Sequence, residues 1–225
     1  MDVQGRVGRT WSGVMLVLAM VYGAQAAEVR IAVGSSTGPA VDAVVSLHGA
    51  TSSVTRTATA RMDQQHSAFV PGVLPVQAGT VVAFPNRDNI QHHVYSFSQP
   101  RQFEIPLYSG NKAAPIRFDK PGVVVVGCNI HDWMIGHIVV LDTPYFGKTG
   151  TDGKLSLDVP PGRYTLRVWH VRGIGAPLER TLVVPAAGTS ATLQASLAPE
   201  KNEVRGNDRL RSLQEKFRQT KGSTP

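Results

Sequence analysis

Apolar and polar residues alternate in short runs through most of this chain, and a period of two predicts β-strands rather than helices. Gly, Pro, Asn and Asp separate the runs at short intervals, as is typical of a β-sandwich. No segment before Pro199 has a sustained helical period. The predicted strands of the first part are 29–33, 41–47, 79–84, 94–97, 116–118, 123–128 and 138–141, with 51–65 as a polar loop or weak edge strand.

A second group of alternating strands lies after residue 150. Residues 151–170 read TDGKLSLDVPPGRYTLRVWH, in which Asp-Gly and Pro-Pro-Gly turns bound two strands. The predicted strands of this group are 154–159, 164–170, 178–184 and 189–197. The stretch resembles transthyretin-like or carboxypeptidase-regulatory sandwich modules, which combine a Thr-Asp-x-x-Gly strand with Pro-x-Gly-x-Tyr-x-Leu and which pack or bind. Residues 38–49 look similar to an early strand of such a module, which leaves open that the N-terminal strands pair with this group.

The two ends of the chain predict segments outside the folded body. Arg6 and Arg9 precede a short apolar run, 14–22, and a small-residue cleavage site follows it, so residues 1–26 are expected to be removed on export to the periplasm. The apolar run is too short to cross a membrane comfortably, and no later run is long enough. Residues 199–225 are basic and polar, which predicts a short amphipathic helix or a disordered tail.

Composition narrows the function only slightly. The chain has 225 residues and a formal net charge of +7, and much of the positive excess lies in the C-terminal tail. Positive charge favours acidic proteins, anionic lipid or nucleic acid as partners without choosing among them. The expected periplasmic location and the lack of a basic stretch interleaved with aromatic residues argue against nucleic acid. No substrate-pocket motif in the sequence supports an enzyme.

The only cysteine of the chain, Cys128, carries the clearest chemistry. An exported chain with one cysteine has no internal disulfide, so the thiol is either buried as a small apolar side chain or bound to a metal. His131 and Met134 follow Cys128 at intervals of three residues. A tight loop could direct all three side chains toward one centre. Thiolate and imidazole bind copper strongly, and a thioether is a weak, soft ligand that suits Cu(I).

A trigonal copper site needs a second imidazole, and residues 84–97, FPNRDNIQHHVYSF, offer His92 and His93. Neighbouring residues of a strand face opposite sides, so only one of the two histidines can easily reach the metal. Structural zinc would prefer more Cys or His ligands, and a binuclear copper centre would need a second cysteine. Catalytic Cys-His hydrolysis would need an exposed thiolate, whereas this cysteine follows an apolar strand.

These motifs resemble the cupredoxin, or type 1 blue copper, family over residues 69–142, and most of all its amicyanin- and plastocyanin-like members. The shared features are Cys-x-x-His-x-x-Met and, upstream, an apolar segment with Asn and Asp before the first histidine. The resemblance implies one type 1 copper ion held by His92, Cys128, His131 and Met134, with His93 as an alternative to His92. His93 stands where the family has an Asn that ties the two ligand loops together, which puts the rigidity of the site in question.

The expected fold is all-β: a cupredoxin-like Greek-key β-sandwich with a second small β-sandwich module and a short C-terminal helix or tail. The expected segments are a signal peptide, 1–26; an N-terminal β segment that is separate from the second module or part of it, 27–65; the copper domain, 66–142; the second module, 143–198; and the tail, 199–225.

The resemblance implies a periplasmic one-electron carrier. His131 would be the exit for the electron, and Trp133 would shield the copper, form a docking patch or simply pack. The expected partners are periplasmic redox proteins such as dehydrogenases or c-type cytochromes, as for proteins of the methylamine utilization type, with no nucleic acid and no transmembrane segment after signal cleavage. The alternatives are copper delivery or storage and a metal-free envelope binding module.

Overall fold

The computed structural model describes residues 26–49 and 58–199, and every helix or strand in these ranges is a β-strand. The all-β class predicted from the alternation is confirmed for these residues. The expected signal peptide and the expected C-terminal helix or tail lie outside the described residues, apart from Ala26 and Pro199 at their edges. In the described ranges there is no helix with the length and hydropathy that a membrane span requires.

The strands follow one another along the described residues in short succession. The first nine are β1 (Ala27–Ser35), β2 (Gly38–Pro39), β3 (Val44–His48), β4 (Thr59–Arg61), β5 (Asp63–Gln64), β6 (Phe69–Val70), β7 (Val73–Gln77), β8 (Thr80–Ala83) and β9 (His92–Ser96). The next nine are β10 (Phe103–Tyr108), β11 (Ile116–Phe118), β12 (Gly122–Cys128), β13 (His131–Leu141), β14 (Phe146–Lys148), β15 (Lys154–Val159), β16 (Gly162–Trp169), β17 (Leu178–Val184) and β18 (Thr189–Gln194).

The N-terminal strands pair with the C-terminal strands. β1 lies between β15, to which it is antiparallel, and β18, to which it is parallel. β3 lies between β14 and β16, and β17 completes that sheet. Residues of both sheets share one apolar core, in which Ile31, Leu47 and Leu166 are fully buried. Strands β1–β3 and β14–β18 are called the terminal unit below.

The middle of the chain forms its own group of sheets, called the middle unit. Its largest sheet has the order β10-β9-β12-β13-β7, and two smaller sheets are β11-β8-β4 and β5-β6. Its core includes Phe84, Phe118 and Ile138, all fully buried. β4 and β5 come from the polar stretch 51–65, so the strands of the segment 27–65 divide between the two units.

The two units meet at one end of the five-stranded sheet. Val44 of the terminal unit packs against Val73 and Val139 of the middle unit in a small apolar cluster, with Trp169 at its edge. The ring centroids of His137 and Trp169 lie 5.7 Å apart. Burial at this junction lowers the pKa of His137. The junction therefore joins β3 and β16 of one unit to β7 and β13 of the other.

Candidate metal centre

Three strands of the five-stranded sheet bring the predicted ligands together. Side chains of β9 alternate between buried and half-buried, and the buried set begins with His92. On β12 the buried set ends with Cys128, which pairs with Val94 of β9 and with His131 of β13. Because these strands are neighbours in one sheet, residues that are distant in sequence face one point in the core.

The strand after Cys128 begins earlier than the predicted boundary at residue 138. β13 begins at His131, and only residues 129–130 separate it from β12. Gly127 pairs with Ile135, whereas Cys128 pairs with His131, so the register shifts between them. The predicted loop up to residue 137 is wrong, and an irregular, bulged hairpin takes its place. A bulge re-aims side chains at the end of a ladder, which explains how a strand can present His131 toward the thiol.

The ligand atoms have the spacing that a single metal ion requires. The Cys128 Sγ lies 3.7 Å from the Nδ1 of His92 and 3.7 Å from the Nδ1 of His131. The three ligand atoms all lie within 4.8 Å of one another. Bonds of about 2.0–2.1 Å to nitrogen and about 2.3 Å to sulfur, as at zinc sites, put N and S about 3.6–3.8 Å apart for angles between tetrahedral and trigonal. The donor set and its spacing therefore fit one ion.

Exposure differs sharply among these three residues. His92 is 0% exposed and Cys128 is 3% exposed, whereas His131 is half-buried. The His131 ring contacts the His92 ring on one side, with centroids 5.0 Å apart, and the Trp133 ring on the other, at 5.1 Å. Trp133 itself is 65% exposed. His131 thus connects the buried thiol to the surface beside an exposed indole.

Met134 lies in the same part of the core. It is 1% exposed and belongs to the apolar cluster that includes Cys128. Both residues line a cavity of about 390 Å³ that Tyr95, Phe97 and Val125 also border. The thioether is therefore buried in the same core and lines the same cavity as the thiol, and its role as a ligand stays a prediction.

His93, the alternative first ligand, faces away from this group. It occupies a half-buried position of β9 between the buried His92 and Val94. Its Nε2 contacts the Glu104 Oε1 on the neighbouring strand at 2.8 Å. The alternation of the strand thus places His92 and His93 on opposite faces of the sheet, and only His92 is brought to the thiol.

Asp88 belongs to the upstream segment with Asn and Asp that the sequence analysis noted, but no role was assigned to it there. Its Oδ2 accepts a hydrogen bond from the His92 Nε2 at 2.8 Å. An imidazole that donates through Nε2 keeps its lone pair on Nδ1, which is the atom nearest the Cys128 sulfur. Carboxylates commonly orient metal-binding histidines in this way. The signals for Asp88 in the sequence are its place in the segment with Asn and Asp and its position four residues before the histidine.

The backbone of a neighbouring turn holds the Asp88 carboxylate in place. The N–H groups of His66 and Ser67 donate to its two oxygens at 2.7 and 2.9 Å. Both turn residues have positive φ angles, 54° and 53°, which direct successive N–H groups toward one acceptor. Burial raises the pKa of Asp88, but the hydrogen bonds from Ser67, His92 and His66 outweigh it and leave the pKa below its ordinary value.

A second polar residue fixes the loop that carries Asp88. The Asn86 amide group donates to the Ile90 carbonyl at 2.8 Å and to the Tyr108 carbonyl at 3.0 Å. Its Oδ1 accepts the backbone N–H of Asp88 at 2.9 Å. His93 stands in the place of an Asn, which put the rigidity of the site in question. The hydrogen bonds of Asn86 in the upstream loop supply this rigidity instead.

Asp88→Asn is expected to weaken metal binding by about 10- to 100-fold, because the amide removes the charge that stabilises the donating imidazole. Competition with a chromophoric chelator measures the affinity. Asp63→Asn is the matched control, since Asp63 lies in the neighbouring β5 and pairs with Arg61 and Arg87 instead of a histidine. Equal affinities for both variants and the unaltered protein would show that Asp88 does not orient His92.

Comparisons with known proteins give similar structures only. No protein-family model matches the chain, and no curated protein matches it. A purple cupredoxin from Nitrosopumilus maritimus matches with 21% identity and a TM-score of 0.33, over 36% of this chain and 99% of that chain. A mutant of amicyanin in its oxidised state matches with 20% identity and a TM-score of 0.34, over 44% of this chain and 99% of that chain. A copper-containing nitrite reductase from Thermus scotoductus matches with 25% identity and a TM-score of 0.36, over 42% of this chain and 25% of that chain.

Proposed function

We propose that this chain holds one copper ion through His92, Cys128 and His131, with Met134 as a weak axial ligand, and carries single electrons between redox proteins of the periplasm. The observation that carries the proposal is one buried thiol with two imidazole Nδ1 atoms at equal distances of 3.7 Å. A copper ion bound there would supply one-electron exchange between its Cu(II) and Cu(I) states.

The donor set favours copper over zinc. One thiolate, two imidazoles and a thioether are the ligands of trigonal copper sites in electron carriers, where the fourth contact is long and weak. Structural zinc is bound by four Cys or His ligands in a closed tetrahedron, and a thioether is not among its usual donors. Among the described residues, the one group that could hold a metal ion is His92, Cys128 and His131. No further His or Cys belongs to this group.

The protein's own residues suit a carrier because they do not need to move. His92 is held by Asp88, which is itself held by backbone N–H groups. Cys128 is fixed by ladder pairs on both sides of β12. Ligands fixed by the fold keep one geometry in both oxidation states, so little rearrangement accompanies transfer. The half-buried His131, beside the exposed Trp133, offers a route from the thiol to a partner.

The proposed partners are periplasmic dehydrogenases or c-type cytochromes that dock near Trp133, with methylamine oxidation as one context. The terminal unit is the proposed accessory module of transthyretin-like or carboxypeptidase-regulatory type. The delivery hypothesis has Met134 and the adjacent pair His92 and His93 hold Cu(I) together. It loses the support of this pair, because His93 bonds to Glu104 on the other face of the sheet.

One experiment separates the hypotheses. The purified chain is mixed with Cu(II), and the visible absorption is followed before and after ascorbate and then after reoxidation. An intense thiolate charge-transfer band that bleaches and returns supports the carrier. Colourless binding of Cu(I) that a chelator rapidly removes supports delivery, and the absence of copper uptake supports the metal-free module. Either of these two outcomes overturns the proposal.

Met134→Leu is expected to retain copper but raise the reduction potential, because the oxidised ion loses a weak sulfur donor while the three strong ligands remain. A redox titration monitored at the charge-transfer band measures the change. Met62→Leu is the matched control, since Met62 is also fully buried in the core of the middle unit. A potential that moves equally in both variants would remove Met134 from the ligand set.

A further inference from the structure

A second group of reactive side chains lies at the junction of the two units, away from the metal centre. β3 has its apolar residues Val45 and Leu47 in the core of the terminal unit. The alternating positions Val44, Ser46 and His48 therefore share the other face of the strand, which is turned toward the middle unit. This face carries a hydroxyl and an imidazole two residues apart.

The hydroxyl and the imidazole are joined to a carboxylate in a single chain of hydrogen bonds. The Ser46 Oγ lies 2.9 Å from the His48 Nε2, and the His48 Nδ1 lies 2.8 Å from the Asp142 Oδ1. A carboxylate only accepts, so the Nδ1 of a neutral His48 carries the proton and donates to Asp142. The Nε2 lone pair then accepts the Ser46 O–H. This order of nucleophile, base and orienting carboxylate is that of a serine hydrolase triad.

The chain fixes Asp142 beside His48 through bonds that do not involve either side chain. Thr143, the next residue, donates its hydroxyl to the Leu47 carbonyl at 2.6 Å. The Leu47 N–H in turn donates to the Tyr145 carbonyl at 2.9 Å. These bonds clamp the segment that connects the two units onto β3. Asp142 is 58% exposed at its side chain, so the carboxylate reaches the imidazole from the solvent side.

The surroundings keep the imidazole ready to accept a proton. His48 is largely buried, with a side chain that is 17% exposed. Burial lowers its pKa most, the Asp142 charge raises it, the Arg167 charge lowers it again, and the net pKa is below the ordinary value. His48 is therefore neutral at neutral pH. Ser46, which is 3% exposed, is shielded from bulk water without losing its access to the imidazole.

A cavity of about 220 Å³ opens on these three residues between the units. Much of its lining is apolar, with Val123 and Val139 from the middle unit and Trp169 and Pro177 from the terminal unit. Arg167, which is the β16 partner of Ser46 in the ladder, also lines it. The Arg167 Nε pairs with the Glu179 Oε1 at 2.8 Å, and its charge lowers the pKa of His48. The guanidinium therefore adds positive charge, partly balanced by Glu179, to the wall of the cavity in which an oxyanion would form.

From this geometry we propose that Ser46, His48 and Asp142 form a second site, which hydrolyses carboxylic esters with a short apolar acyl group. The Ser46 Oγ attacks the ester carbonyl carbon, and its proton passes to the His48 Nε2. The bond from that carbon to the alcohol oxygen breaks, and His48 gives the proton to the departing alcohol.

Water completes the reaction. It attacks the acyl carbon now bound to Ser46, one of its protons passes to His48, and His48 returns a proton to the Ser46 Oγ as the carboxylic acid leaves. Asp142 is a positioning residue, because it touches only the imidazole. The cavity selects the acyl group by size, and its apolar walls favour an alkyl chain over a charged one. No residue of the proposed metal centre takes part, so the two proposals stand or fall separately.

A fluorophosphonate reagent, which bonds to activated serine hydroxyls, tests the proposal on the full chain. The protein is treated in its folded state, digested, and the labelled residue located by mass spectrometry. We expect one label, on Ser46. Ser96 is an internal control, since it is also a buried strand serine, at 2% exposure, and its hydroxyl contacts a backbone N–H. Absence of a label on Ser46 in the folded protein, or equal labelling of Ser96, overturns the proposal.

Hydrolysis of p-nitrophenyl acetate provides the second measurement. Ser46→Ala is expected to remove the reaction, and Asp142→Asn is expected to lower kcat by about 100-fold or more with KM unchanged. If kcat, KM and the melting temperature of Asp142→Asn all fell, Asp142 would have a structural role, and this result would count against the triad. Ser96→Ala is the matched control and keeps the rate. If Ser46→Ala hydrolyses the ester at an unchanged rate, other groups carry out the reaction and the proposal is overturned.

Discussion

Cys128→Ser is expected to abolish the intense visible absorption of the copper-loaded protein and to weaken copper binding by more than about 100-fold. The absorption of such sites depends on charge transfer between copper and a thiolate, and a serine hydroxyl is not deprotonated at neutral pH. The chain has a single cysteine, so no other thiol can replace it. Absorption spectra and the copper content after desalting measure the two effects.

The serine hydroxyl is close in size to the thiol, so the variant tests chemistry more than packing. Val126→Thr is the matched control, because Val126 lies two residues earlier on the same buried face of β12 and gains a hydroxyl without approaching a ligand position. This control is expected to keep the colour. Near-ultraviolet circular dichroism checks that both variants are folded. A coloured Cys128→Ser protein would mean that the ligands are misassigned.

The sequence is most informative where the chemistry is local. Cys128, His131 and Met134 recur at a fixed spacing, and the structure places the first two at one point and buries the third in the same core. The period of a strand decides which of His92 and His93 lies beside the thiol, a rule that needs no tertiary information except which face is buried. The strands 116–118, 154–159 and 178–184 are also found at the predicted residues.

Local sequence patterns do not predict features that depend on distant parts of the chain. The early start of β13 follows from the ladder with β12, and a run of polar and aromatic residues such as 131–133 carries no period that would reveal it. Asp88 acquires its role only because the turn at His66 and Ser67 is brought against it. The pairing of β1 with β15 and β18 joins the two ends of the described fold, and the sequence left it open only through the resemblance of residues 38–49 to a strand of the second module. A single sequence does not encode such distant pairs in any local pattern.

The run of valines 123–126 shows the limit of a local pattern in another way. Four consecutive apolar residues predict a strand buried on both faces. Val124 and Val126 are indeed fully buried, but Val125 is 43% exposed. The terminal unit packs on the outer face of the five-stranded sheet around Val73, Val139 and His137, and Val125 is not part of this contact. Whether an apolar face is buried depends on where the other unit packs, and the sequence of the strand does not predict this.

His92→Ala is expected to lower copper affinity by more than about 100-fold, whereas His93→Ala is expected to leave the affinity nearly unchanged. His92 points its Nδ1 at the thiol and is fully buried, so its loss removes a strong ligand and leaves the Asp88 carboxylate without its histidine partner. His93 points to Glu104 on the opposite face, and its loss removes a surface contact.

The two variants make an unusually well-matched pair, because the same side chain is removed from adjacent positions of one strand. Isothermal titration or chelator competition gives the two affinities, and paramagnetic resonance of the Cu(II) forms reports whether the geometry of the site has changed. If His93→Ala lost copper while His92→Ala kept it, the strand would have to be turned over in solution. If both variants lost copper equally, the two histidines would be ligands together, and the delivery hypothesis would regain its support.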